Sequence, residues 1–183
     1  MGKLIVPRPN SRERAVFDIG NITLIESITE EEYLEMAAEY LSNHNVLHLS
    51  TCRDNEPRST PLEYFNNGIT VYIFSEGGGK MANLKANPKV SYSISDPYHP
   101  SEDFFGASGL QVWGISSVFK KNDDPERFKQ ICSYSRNAEA LKEQGLDGAA
   151  ESYNFNVFTI EPTKISRLSY RKGFRNVVWK KEG

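Results

Sequence analysis

At 183 residues with 22 Lys and Arg against 24 Asp and Glu, the chain carries a net charge of −2. That length suits one well-filled domain, here taken as residues 1–183, and the charge leaves no electrostatic footprint for a nucleic acid. No apolar run approaches the roughly 18 residues of a membrane span, and Leu4-Ile5-Val6 before Pro7-Arg8-Pro9 is too short for a secretory core, so a cytoplasmic protein away from any membrane is expected.

Residues 1–26 carry the weakest pattern and are read as an arm crossing to a second subunit. A helix start follows at Thr29, with Glu32 closing a capping box and Ile28 stapling to Tyr33. Tyr33, Met36, Ala37, Tyr40 and Leu41 recur at helical spacing and predict one apolar face ending near Asn43. Val46 to Thr51 reads as a strand, and the polar run Cys52 to Glu56 turns into a second, Pro57 to Phe65. Asn66-Asn67-Gly68 signals a hairpin into a third strand, Ile69 to Ser75.

Gly77-Gly78-Gly79 breaks that strand, and Lys80 to Ala86 has helical composition ending before Asn87-Pro88. In Lys89 to Ser95, Val90, Tyr92 and Ile94 alternate with polar residues, as in a half-buried strand. Asp96 to Ser108 reads as a long loop whose Tyr98, Phe104 and Phe105 could form a lid. Leu110 to Phe119 resumes as strand. Asp124-Pro125 opens a second amphipathic helix with Phe128, Ile131, Cys132 and Tyr134, fading before Gly145. Three strands close the chain: Phe155 to Ile160, Thr163 to Ser169, and Phe174 to Trp179. About seven strands, mostly joined by hairpins, predict an antiparallel barrel of the α+β class.

Cys52 and Cys132 lack metal or disulfide spacing, and His44, His48 and His99 lack that of a zinc site, so no metal is expected. His44 is read as closing a helix, His48 as packing in a strand and His99 as a loop residue. There is no nucleophile elbow, no paired carboxylates at recognisable spacing and no Walker loop. Three pieces stand in a suggestive order: Arg58-Ser59-Thr60-Pro61-Leu62, then Phe74-Ser75, then Gly78-Gly79-Lys80. Cations, hydroxyls and a helix start suit a phosphate, and a strand edge suits a flat ring needing backbone partners. Pro61 removes a ladder donor, which places its strand at an edge or bulge.

In order and spacing these pieces resemble the pyridoxamine-phosphate-oxidase-like FMN-binding split-barrel family. There Arg-x-x-x-Leu, an aromatic-Ser/Thr strand end, and a Lys followed by Asn-Pro-x-Val line the flavin; here the last part runs from Lys80 to Asn87-Pro88-Lys89-Val90. The resemblance is close over residues 29–120 and looser beyond. It implies a split β-barrel, with FMN as cofactor. Arg58 and Lys80 would hold the phosphate, Ser75 would add a hydroxyl, Ser59, Thr60 and Pro61 would follow the ring through their backbone, and Phe74 would sit beside it. Gln111 matches a glutamine that reaches the cofactor from a partner subunit, and Trp113 stands near it as site or interface residue. A homodimer with flavin at its interface is implied, as is an oxidoreductase acting on a small molecule.

The ordinary readings of these residues are a solvated strand arginine, a solvated helix lysine and a strand-ending serine; their family order favours the site. The family's Arg-x-His substrate motif is missing, since Arg167-Leu168-Ser169 and Arg175-Asn176-Val177 carry no histidine, which weakens a vitamin B6 activity. Relatives include deazaflavin and haem proteins. Two other functions therefore stay open: a flavin sensor or reservoir without turnover, and a haem protein with His48 or His99 as axial ligand.

Overall fold

A computed structural model describes residues 2–135, 142–145 and 153–182. The elements run β1 (Gly2–Ile5), α1 (Ser11–Ile19), α2 (Glu30–Ser42), β2 (Val46–Arg53), β3 (Glu56–Glu63), β4 (Phe65–Asn67), β5 (Thr70–Ser75), α3 (Gly79–Ala86), β6 (Lys89–Ser95), β7 (Ser108–Lys120), α4 (Pro125–Cys132), β8 (Asn156–Ser169) and β9 (Phe174–Lys181). All pairings are antiparallel, in the order β1-β9-β8-β7-β6-β2-β3. β5 joins the first half of β8, and β4 pairs with β5. The long β8 thus serves two neighbours: β5 along 156–160 and β9 along 164–169. The fold is the antiparallel α+β barrel that the strand pattern predicts, open and split as the family resemblance implies.

Helix α2 forms as expected. Thr29 Oγ1 accepts from Glu32 N–H at 3.2 Å, and the Glu32 carboxylate accepts from Thr29 N–H at 2.9 Å. Its apolar face docks on the sheet through Tyr33, whose hydroxyl donates to Val177 O (2.8 Å) and Ile165 O (3.2 Å). Around it the core closes on Leu47, Leu49, Val71, Ile73, Val112, Phe158 and Ile160, all essentially inaccessible. The β2–β3 turn places Asp54 and Asn55 at φ of 52° and 64°, the left-handed pair that such a hairpin requires.

Three features differ from the sequence reading. The strands expected at Phe155–Ile160 and Thr163–Ser169 are one, because β8 runs on through Glu161-Pro162. The register of β7 shifts between Trp113 and Gly114, opposite Pro162, and a Cβ on Gly114 would lie 2.5 Å from Glu161 O. A glycine on the facing strand therefore admits the irregular backbone that a proline imposes. The second strand ends at Glu63, Phe65 begins the short β4, and Gly2–Ile5 adds β1, so the described residues form nine strands in place of about seven. The helix opened by Pro125 ends at Cys132; residues 136–141 of the expected continuation lie outside the described residues.

Residues 2–26, read as an arm, fold onto their own chain. β1 pairs with β9, Asn10 and Glu13 form a capping box on α1, and Arg175 pairs with Glu13. Among the described residues no helix is long and apolar enough to cross a membrane.

Candidate functional site

β3 ends the sheet path, so its outer edge has no strand partner among the described residues, and Pro61 sits where a missing donor is tolerated. Opposite β2, Arg58, Thr60 and Leu62 face the side of Thr51, Leu49 and Leu47, while Ser59 and Pro61 share the other face with Ser50 and His48. β5 ends at Ser75, 7% exposed, whose Oγ accepts from Gly77 N–H at 3.2 Å. Gly77 and Gly78 then take φ of 143° and 98°, conformations that side chains rarely adopt, and lead into α3.

The first turn of α3 has no side-chain cap and no acidic residue. Its free N–H groups and the helix dipole therefore favour an anion. Arg58 leans against this turn, since a Cβ on Gly79 would lie 2.9 Å from Arg58 Nη1. Arg58 Nε donates to Thr60 Oγ1 at 3.3 Å, and Lys80 Nζ donates to Gly77 O at 2.8 Å. Burial first, and then the Arg58 charge, push the Lys80 ammonium below its ordinary value, with Glu76 partly opposing them. Neither cation forms an ion pair with a carboxylate among the described residues. A hollow of about 480 Å³ opens here, lined by Leu62, Phe74, Ser75, Glu76, Gly77, Gly78 and Lys80, and Arg58 lines a neighbouring one of about 390 Å³ with Asp54, Glu56 and Gly79. A larger cavity, about 740 Å³, lies beside α1 at Arg8, Phe17 and Ile25 and shares no residue with this cradle.

Arg58 thus lies beside Thr60 and Gly79, and Ser75 and Lys80 both turn to Gly77. Phe74 borders the hollow, but its ring turns to the α4 side and stacks on Phe128 (centroids 5.2 Å apart) and Phe155 (5.8 Å). Gln111 and Trp113 lie elsewhere. Gln111 is exposed in a row of facing residues, Gln111–Ser93–His48–Pro61, that crosses β7, β6, β2 and β3. Three strand spacings put it roughly 14 Å from β3. Trp113, on the same face, lies under Lys164 Nζ at 3.7 Å.

The histidines form no metal centre, and no group of three potential ligands occurs among the described residues. His48 is exposed on the outer sheet face, where a strand-packing role was expected. His44 does more than end α2: Nδ1 lies 2.8 Å from Tyr40 O and Nε2 2.8 Å from Asp96 Oδ1. One polar centre has no local sequence signal. Arg167 is 6% exposed, bonded to Gly109 O (2.8 Å) and Leu168 O (2.7 Å), and stacked on Tyr40 at 3.8 Å; only the β7–β8 register assembles it.

Similar proteins share this frame. A haem-binding protein from Mycobacterium smegmatis superposes with a TM-score of 0.58 at 18% identity, covering 78% of this chain and 57% of that one. An FAD-binding protein from Mesorhizobium loti gives 0.55 at 16% identity, covering 85% and 96%. A putative pyridoxamine 5'-phosphate oxidase from Listeria innocua gives 0.53 at 23% identity, covering 75% and 98%. An uncharacterised protein of Rhizobium meliloti is 36% identical over 52 residues, 28% of this chain and 34% of that protein, so the match spans about a third of that relative. The family described as Pyridoxamine 5'-phosphate oxidase matches residues 33–169, from α2 to the end of β8. With most of its length matched, the chain belongs to the pyridoxamine 5'-phosphate oxidase family.

Proposed function

We propose that this protein is a cytoplasmic FMN-binding flavoprotein, a homodimer that acts as an FMN-dependent oxidoreductase on a small molecule. The observation that carries the reading is the pair of cations, Arg58 and Lys80, held beside an uncapped helix start with no ion pair to either among the described residues, Glu76 offsetting their repulsion only in part. Left alone they repel each other. A phosphate bearing about two negative charges would relieve that repulsion and accept the free N–H groups of α3.

The residues present fit FMN. Ser75, already turned to Gly77, borders the same hollow, and the open positive-φ turn at Gly77 and Gly78 leaves room for a phosphate, with nothing within 4 Å of either Cβ position. The isoalloxazine edge would lie along β3 against the backbone of Ser59, Thr60 and Pro61, the last offering only its carbonyl. Phe74 would support that region through its place in the wall, since its ring is committed to Phe128 and Phe155. Gln111 and Trp113 lie three strand spacings from β3, where the ring would run, so they would meet the flavin of a second copy. Bound FMN would supply electron transfer, while the chain anchors the phosphate and orients the substrate.

The test is the chromophore released from purified protein. FMN, reduced rapidly by a nicotinamide nucleotide, is the expected result; bound FMN that resists reduction would make the protein a reservoir or sensor. Two similar structures are described as haem-binding and haem storage proteins, from Mycobacterium smegmatis and Vibrio cholerae. Here His48 stands exposed between Ser50 and Ser93 on an open face, a poor setting for an axial ligand. A Soret band in protein from haem-replete cells, with no flavin, would overturn the flavin reading.

A further inference from the structure

On the outer face of the sheet, between β6, β7, β8 and the 96–107 loop, lies a separate cleft of about 450 Å³. That volume suits a small molecule. Its polar walls are hydroxyls and carboxamides, chiefly Ser93, Ser95, Ser166, Gln111 and Asn176, with Tyr98 contributed by the loop. Among the described residues no lysine or arginine lines it. The one carboxylate in the wall, Asp96, is engaged by His44 Nε2 at 2.8 Å.

The nearby cations are also committed. Arg167 spends its guanidinium on Ser108 Oγ, Gly109 O and Leu168 O, and Lys164 is held over Trp113. The loop is pinned at two points, Asp96 by His44 and Asp103 by a two-pronged pair with Arg171 at 2.7 and 2.5 Å. The cleft is therefore formed before any ligand arrives.

We propose that this cleft holds the substrate ring, and that it selects an uncharged, hydrogen-bonding heterocycle over phosphorylated or carboxylated molecules. Hydroxyls and carboxamides donate and accept alike, so they match the mixed donors and acceptors of a neutral ring. An anion would shed its hydration here and meet no free cation in return. The inference rests on the flavin reading, in which Gln111, a residue of this wall, reaches the second copy's flavin and so sets the cleft beside it.

The experiment uses protein loaded with FMN, flavin occupancy being read by absorbance in every sample. Nicotinamide and nicotinate, one ring with and without a negative charge, are titrated by saturation-transfer NMR. Nicotinamide should bind about tenfold or more tighter than nicotinate, and Ser166→Lys should shift the ratio by about tenfold toward nicotinate. Ser95→Lys, at the exposed end of β6, is the second variant should Ser166→Lys fail to fold. Equal binding of the two probes to FMN-loaded wild type, or a ratio unmoved by the lysine, would overturn the inference and leave the flavin reading standing. Samples that take up no FMN would overturn both.

Discussion

Lys80→Ala removes one of the two cations that crowd the start of α3, and its effect should have opposite weight in the liganded and free protein. In the complex, a hydrogen bond to a charged group contributes roughly 1.5–3 kcal/mol. At about 1.4 kcal/mol per factor of ten, FMN affinity should fall by about ten- to a hundredfold. Riboflavin, without the phosphate, should bind Lys80→Ala and wild type alike. In the free protein the lysine charge is disfavoured by burial and by Arg58, and its visible bond is to Gly77 O. Loss of that side chain should therefore change unfolding stability by no more than about 0.5 kcal/mol. Arg58→Ala should behave similarly, and the double variant should show a coupling term if both cations address one phosphate. Fluorescence titrations of both ligands into all four proteins, with melts of the free forms, measure each quantity. Equal losses of FMN and riboflavin affinity in Lys80→Ala would refute the phosphate assignment, and a large loss of stability in the free protein would make the lysine a structural residue.

Tyr33→Phe should cost about 1–3 kcal/mol in urea unfolding, because it strips the buried Val177 and Ile165 carbonyls of a donor. Gly173→Ala should cost more than about 1 kcal/mol, since residue 173 has φ of 77° and a new Cβ would lie 2.5 Å from Thr23 O; a melting temperature equal to wild type would contradict this. Burial raises the Asp96 carboxyl, but hydrogen bonds from Ser108 and His44 and the charges of His44 and Arg167 outweigh it and hold the group below its ordinary range. The resulting stabilisation is complete above the unfolded value of about 3.9 and is lost as pH falls through the lowered folded value, so Asp96→Asn should flatten the acid limb of a stability–pH curve.

Local signals carried much of the fold. The Thr29–Glu32 box and the spacing from Tyr33 to Leu41 define α2, and strict alternation defines β6 from Lys89 to Ser95. The Asn10–Glu13 box of α1 is equally plain, yet it goes unread inside a segment whose strand β1 finds its partner only at the far end of the chain. Pro162 reads as a break because the compensating residue, Gly114, belongs to the facing strand. The order of Arg58, Ser75 and Lys80 is plain in the sequence, whereas the approach of Arg58 to Gly79 depends on how β3 and α3 both adjoin β2. The outward turn of the Phe74 ring follows from strand alternation, because Val71 and Ile73 occupy the core side. Arg167 and the cleft beside it arise from register alone and leave no mark in any short stretch of sequence.

Diffraction from crystals grown with FMN tests the central claim most directly. The phosphate should lie between Arg58, Lys80 and the first N–H groups of α3, with the ring along β3 and the second copy's Gln111 beside it. A flavin whose phosphate lies away from Arg58 and Lys80, or one lodged in the cleft beneath the 96–107 loop, would contradict the account.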